Sequence, residues 1–451
     1  MTSTLLRNAA VIATMDDSDT LLHNASIRIV DNRIEAIGPA DEITGGADET
    51  IDASGHILIP GLVNTHHHFY QTLTRNVPAG QDSDLFNWLV AHYPIWARMD
   101  ARAIDASTRI AIAELMLSGC TTAADHTYIW PNDARVDDQI HAAAEMGFRF
   151  HAARGSMSVG QSRGGLPPDH AVEDEDFILT DSQRVIETYH DDSHGAMTRI
   201  VLAPCSPFSV STDLMRETAA LARTHRVHLH THLAETLDEE NYCRELFGQT
   251  PVEYAEANGW VGDDVWFAHM VHPHEAEIGR LGEHRCGVAH CPSSNMRLAS
   301  GVAPIRALQD AGARVGLGVD GSASNDCSHM LGEARQAMLL QRLANGPDGL
   351  SARQALRLAT RGGAEVLGRD DIGHLAPGMA ADIVGYRLDS LPLAGAAVHD
   401  PLAALVFCWP PQVDLSLING RLRVHRGELL GVDVPSLVKR HNAIATALVN
   451  G

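Results

Sequence analysis

A (β/α)8 TIM-like barrel, flanked by a small β-sandwich built from both chain ends, is the α/β fold that this sequence predicts. Two observations carry it. Eight apolar, strand-like segments end at about Thr65, Asp125, Ala152, Pro204, His232, His269, Cys291 and Asp320, and they alternate with helix-like stretches in the manner of a parallel sheet. Outside that territory, both ends of the chain carry short alternating segments separated by turns.

In chain order, residues 1–58 supply the N-terminal part of the sandwich. Ser26–Val30 and Arg33–Pro39 alternate in polarity around a turn at Asp31-Asn32. Residues 59–371 form the barrel. Within them Ile104, Thr108, Ala111, Ile112 and Leu115 recur at helical spacing, and Gly119 stands where a helix C-cap belongs. Residues 372–451 return to short strands near 378–384 and 415–422 and close with a terminal helix. No internal repeat, low-complexity tract or Pro/Ser-rich linker separates these territories, so they are expected to pack together.

Composition narrows the function classes. The net charge of −23, with no compact basic stripe, repels a nucleic-acid polymer and suits a small neutral substrate. No apolar run approaches the roughly 18 residues that span a bilayer, and Met1–Asn8 lacks the basic flank of a secretory signal. No membrane partner is expected. Seven cysteines, an odd number without a Cys-x-x-Cys pair, read as reduced thiols. A soluble cytoplasmic protein, assembled as a homo-oligomer, is expected.

Strand ends carry the chemistry. Pro60-Gly61-Leu62-Val63-Asn64-Thr65-His66-His67-His68 ends an apolar segment with three histidines, and alternation turns His66 and His68 the same way while His67 points elsewhere. In Val227–Glu235, residues 228, 230 and 232 share a face and Glu235 follows just past the strand. A further strand ends in His269 and another in Asp320. His66, His68, His232 and Asp320 would supply three nitrogens and one oxygen to a single divalent ion and leave a position for water, which suits zinc, with Fe2+ as the alternative. His67, His228, His230 and His272 read as structural. A Pro-Cys-x-x-Cys ligand pair is absent at Pro204-Cys205, which discounts a cytidine-deaminase type of site.

The ordered set resembles the amidohydrolase superfamily, in particular its one-metal aromatic deaminase branch. The motifs are Pro-Gly-Leu-Val-Asn-x-His-x-His at 60–68, His-x-x-Glu at 232–235, His269, Asp320-Gly321 and Ile372–Asp382. The resemblance covers essentially the whole chain. It implies His66, His68, His232 and Asp320 as metal ligands and Glu235, His269 and Asp320 as catalytic groups. Asp320 and His269 would activate water at the ion. Glu235 would carry a proton to the ring nitrogen and then to the leaving amine.

Substrate choice rests on finer features. Gln71, in His-x-His-x-x-Gln, resembles guanine deaminases, in which the amide reads the purine edge; a solvent-facing loop glutamine is the other reading. Cys205 stands near where related deaminases place a histidine or arginine. A thiol accepts weakly and takes little room, which matches the protonated N7 of 8-oxoguanine better than the bare N7 of guanine; Cys205 as a plain small apolar residue is the other reading. Trp96, with Trp88 and Tyr93, either walls a flat heterocycle or anchors the core. Asn295 either offers a pocket amide or caps a turn. The wording of 66–75, 84–89 and 93–98 resembles the group that acts on 8-oxoguanine, so a nucleobase substrate, giving urate and ammonia, is expected. Guanine, isocytosine and hydroxyatrazine-type s-triazines are the alternatives. A catalytically silent binding scaffold is the alternative of another class.

Overall fold

The computed structural model describes residues 2–43 and 45–451. Five strands open the chain: β1 (Ser3–Ala13), β2 (Leu21–Val30), β3 (Arg33–Pro39), β4 (Glu49–Asp52) and β5 (His56–Pro60). Eight follow in the central region: β6 (Leu62–Asn64), β7 (Cys120–Asp125), β8 (Arg149–Ser156), β9 (Thr198–Pro204), β10 (His228–Leu233), β11 (Val265–His269), β12 (Gly287–His290) and β13 (Arg314–Leu317). The C-terminal region adds β14 (Ile383–Arg387), β15 (Leu415–Ile418), β16 (Arg421–His425) and β17 (Glu428–Leu429). Strands β6 to β13 pair in parallel and close into a barrel, as the sequence predicts. β8 runs four residues past its expected end at Ala152.

Both faces of a parallel barrel are covered, so its strands are apolar along their length rather than alternating. β7, β8, β11, β12 and β13 are buried at every position. Val63, Ala124, Trp266 and Ala289 pack with Ala364, Val366, Leu367 and Ile372 in one apolar cluster. The helix of Ala101–Ser118 is capped by Asp100, whose side chain accepts from the Ala103 amide, and ends at Gly119 with φ 96°, a left-handed position that glycine adopts without strain. The terminal helix, Val434–Asn450, lies against it.

The chain ends meet in one mixed nine-stranded sheet, in the order β17-β16-β15-β14-β5-β1-β2-β3 with β4 beside β1. It curls on itself. Ile34 N–H donates to Met379 O and Ala381 N–H to Asn32 O, which ties the β3 edge to the segment entering β14. Ile27, Ile29, Ile34, Leu58, Ile383 and Leu417 fill the core so enclosed. The other face joins the barrel's core through Val11, Ile57, Ile59 and Val384.

One buried ion pair locks sheet to barrel. Arg149, in β8, donates through Nε and Nη2 to Asp382 at 3.0 and 2.8 Å, and its Nη1 reaches the carbonyls of Gly195 and Ala196. Both side chains are buried. Removing one partner strands the other charge in a dry interior, so Arg149→Met is expected to destabilise the fold by about 3–5 kcal/mol, read by urea unfolding.

Candidate metal and active site

Every candidate ligand lies at the mouth formed by the C-terminal ends of the barrel strands, where such barrels assemble their sites. His66 and His68 follow β6, His232 lies in β10, His269 ends β11 and Asp320 follows β13. His66 Nε2 and His68 Nε2 stand 3.3 and 3.2 Å from Asp320 Oδ1, and His68 Nε2 stands 3.1 Å from His232 Nε2. His269 Nε2 faces Glu235 Oε2 at 3.5 Å and Asp320 Oδ2 at 3.9 Å. The sequence-predicted ligands and catalytic groups thus converge on one point, all of them buried except His232, which is partly so.

What surrounds them decides which nitrogen carries each proton. His68 Nδ1 is 2.6 Å from His126 O and His232 Nδ1 is 2.6 Å from Cys205 O, so both must donate. His230 Nδ1 meets Trp266 O at 3.0 Å, which leaves His230 Nε2 as the acceptor for His66 Nδ1 at 2.8 Å. The same logic holds for His269, whose Nδ1 donates to Asn295 Oδ1 at 2.8 Å. Every Nδ1 proton is therefore spent outward, and every Nε2 turns a lone pair inward.

A second proton on His66 or His232 is no remedy. Burial, together with its neighbouring imidazoles, pushes His232 down to about 3, and burial holds His66 well below the ordinary imidazole value. Burial would raise Asp320, but the His66 and His68 rings beside it hold it well below the usual carboxylate range. Inward lone pairs and an ionised carboxylate 3.1–3.3 Å apart repel one another unless a cation lies between them. His66 Nε2 is moreover a buried atom without a hydrogen-bond partner. This donor set fits one divalent ion of zinc type. Two overlapping groups, His66-His68-Asp320 and His66-His232-His269, have ligand atoms within 4.8 Å of one another.

Backbone strain aims these groups. Ala234, His269, Met270 and Asp320 all adopt positive φ, at 53°, 72°, 47° and 63°, a region costly for residues with a Cβ. His269 and Asp320 themselves reach the cleft, while Ala234 and Met270 are buried in the core beside it. Burial raises Glu235 above the ordinary carboxylate value, partly offset by His269. Burial would lower His269, yet Glu235 and Asp320 raise it.

The amidohydrolase family pattern matches residues 57–423. The chain belongs to the amidohydrolase family. It is 48% identical to the 8-oxoguanine deaminase of Pseudomonas aeruginosa, over the whole of both chains. It is 37% identical to the hydroxydechloroatrazine ethylaminohydrolase of a Pseudomonas species, over all of this chain and 97% of that one. The atrazine chlorohydrolase of Arthrobacter aurescens, crystallised with zinc, superposes with a TM-score of 0.93 at 36% identity, over 98% of this chain and 100% of the other.

The cleft of this amidohydrolase opens beside the converging histidines. Trp88, Tyr93, Tyr128 and Phe208 line it with Gln71, Cys205 and Ser324. Gln71 is buried rather than solvent-facing, and its amide lies where a Cβ on Gly321 would stand, 1.8 Å from that position, so the Asp320-Gly321 pair makes room for it. Burial pushes the Cys205 thiol up to about 12, so it faces the cleft as a neutral S–H.

Two expected substrate contacts lie elsewhere. Trp96 does not line the cleft: it stands behind Trp88 and Tyr93, fully buried, and its Nε1 is spent on Thr74 Oγ1 at 3.0 Å. Asn295 is likewise absent from the lining and fully buried, with its Oδ1 engaged by His269. Its helix, Pro292–Arg297, follows β12, and its amide meets His269 Nδ1, the ring nitrogen opposite the one that faces Glu235 and Asp320. His230, read from sequence as structural, supports His66 directly, and its place on the His232 face was the available signal. Groups that orient a metal ligand are worth about 10–100-fold in metal affinity. His230→Phe is expected to lose zinc to a competing chelator by that factor, read by metal content after dialysis.

Proposed function

We propose that the chain is a hydrolytic deaminase of an oxidised purine, converting 8-oxoguanine and water to urate and ammonia. The observation that carries this reading is the convergence of His66, His68, His232 and Asp320 with Glu235 and His269 beside an aromatic cleft. The 48% identity to an 8-oxoguanine deaminase over the full length supports the substrate. Zinc is the ion this reading assigns to His66, His68, His232 and Asp320. Such an ion, once bound, lowers the pKa of a coordinated water from 15.7 to about 7 and so supplies a nucleophile at neutral pH.

The chain's own groups handle the rest. Asp320 and His269, 3.9 Å apart, accept the proton that the attacking water gives up and hold the water toward the ring. Attack at the carbon bearing the amine pushes an electron pair onto the adjacent ring nitrogen. Glu235, whose pKa burial raises above the ordinary carboxylate value, protonates that nitrogen. Glu235, now a carboxylate, takes the hydroxyl proton from the tetrahedral carbon and passes it to the amine; the C–N bond breaks, ammonia leaves, the carbonyl of urate remains, and the proton held by Asp320 and His269 returns to Glu235. Trp88, Tyr93, Tyr128 and Phe208 present aromatic faces to a planar ring, and the Gln71 amide offers a donor and an acceptor to its edge. The neutral Cys205 thiol meets the protonated N7 and the C8 carbonyl without the cation that a bare N7 would need.

With all seven cysteines free, this reading places the activity in the cytoplasm. Ammonia release across 8-oxoguanine, guanine, isocytosine and hydroxyatrazine is expected to favour 8-oxoguanine. Preference for hydroxyatrazine or guanine would overturn the substrate. Glu235→Gln is expected to keep its zinc while turnover falls at least ~10²-fold, the range in which a general acid–base group contributes; full turnover in that variant would overturn the mechanism.

A further inference from the structure

Glu239 is buried, lies outside the cleft, and has been given no part in the reaction so far. It sits in the first turn of the helix Leu237–Phe247, three residues after the N-cap Thr236. In sequence, Thr236-x-x-Glu239 reads as a capping box, in which the glutamate would return to the N–H of the N-cap itself. Such boxes do close at Thr250–Glu253 and Ser351–Gln354.

Here only half of the box forms. Thr236 Oγ1 accepts from Glu239 N at 3.3 Å, but the Glu239 carboxylate passes Thr236 and takes the two amides before it. Its Oε2 accepts from Glu235 N at 2.8 Å and its Oε1 from Ala234 N at 3.1 Å. Ala234 is the left-handed residue that turns the chain after β10, and Glu235 is the proton carrier. The carbonyl of Ala234 in turn accepts from Val271 N and His272 N at 2.8 and 2.9 Å, just past His269 and Met270. One carboxylate therefore fixes the strained turn under Glu235, and through it the start of the loop under His269.

Its hydrogen-bond partners are two neutral backbone amides, and no Lys or Arg pairs with it among the described residues. Burial raises it to about 7, against the pull of those same amides. A helix cap alone would not require so costly a placement, since the N-cap N–H lies nearer the helix and closer to solvent.

We infer that Glu239 is a positioning residue for the deamination, holding the Ala234–Glu235 backbone so that the Glu235 carboxyl meets its proton-transfer partners. The inference rests on Glu235 as proton carrier, and it adds a requirement that the cleft and the metal ligands do not share. Loss of Glu239 therefore lowers kcat while KM and bound zinc stay put.

The test compares wild type, Glu239→Gln, Glu239→Leu, Glu235→Gln and the double variant Glu235→Gln/Glu239→Gln, all as zinc-loaded protein, with metal content and thermal melting measured on each. Wild-type turnover of 8-oxoguanine and its loss in Glu235→Gln test the underlying reading first. Given those, Glu239→Gln is expected to lose ~10-fold and Glu239→Leu ~10²-fold in kcat, the scale of a displacement of about 1 Å, with KM and zinc unchanged. In the Glu235→Gln background, Glu239→Gln is expected to cost nothing further, because a residue that acts only through another is silent once that one is gone. Wild-type kcat in Glu239→Gln, additive losses in the double variant, or activity lost only in step with folded protein or zinc would each overturn the inference.

Discussion

Four imidazoles at one end of the barrel have given their Nδ1 protons to groups behind them, and this single arrangement governs the site. Two backbone carbonyls, one side-chain amide and one further imidazole take those protons. The lone pairs left on His66 Nε2 and His68 Nε2 face the buried Asp320 carboxylate at 3.3 and 3.2 Å with no hydrogen to place between them. Electrostatic repulsion in a dry interior rises steeply as the dielectric falls, so the folded state itself creates demand for a cation. The carbonyls and the amide that impose this are held by the barrel, not by the ligands.

Rigidity elsewhere makes that imposition effective. The closed parallel barrel keeps its strand ends at fixed separations, and the Arg149–Asp382 pair fastens the curled sheet to it. Positive φ recurs at the site, at Ala234, His269, Met270 and Asp320. Hydrogen bonds from neighbouring loops hold those turns: Asp320 N–H donates to His66 O at 3.0 Å, and Met270 N–H to Leu233 O at 3.2 Å. The unfavourable φ values persist because the surrounding structure over-determines them.

Much of this was legible in the sequence, and the boundary has a physical origin. Period-two alternation shows which residues of a strand share a face, so His66 with His68 was readable, as was the carboxylate past β13. The parallel barrel followed from apolar runs alternating with helical spacing. Roles that depend on where a neighbouring loop ends were not readable. Asn295 could offer a pocket amide or cap a turn by sequence, but its side chain meets the back of His269. Trp96 could be a ring wall or a core anchor by sequence, and the structure makes it an anchor, fully buried against Trp88 and Tyr93. His230 shared a face with His232, yet only the carbonyl of Trp266 shows why it accepts rather than donates. Left-handed φ favours asparagine, aspartate and histidine, as at Asp320 and His269, but at Ala234 and Met270 it leaves no mark in the sequence.

Diffraction from crystals of the protein, recorded on both sides of the zinc absorption edge, tests the central claim most directly. The account predicts one anomalous peak bounded by the Nε2 atoms of His66, His68 and His232 and by an Asp320 oxygen. Fully loaded, active protein with no peak there, or with its metal at some other place, would contradict it.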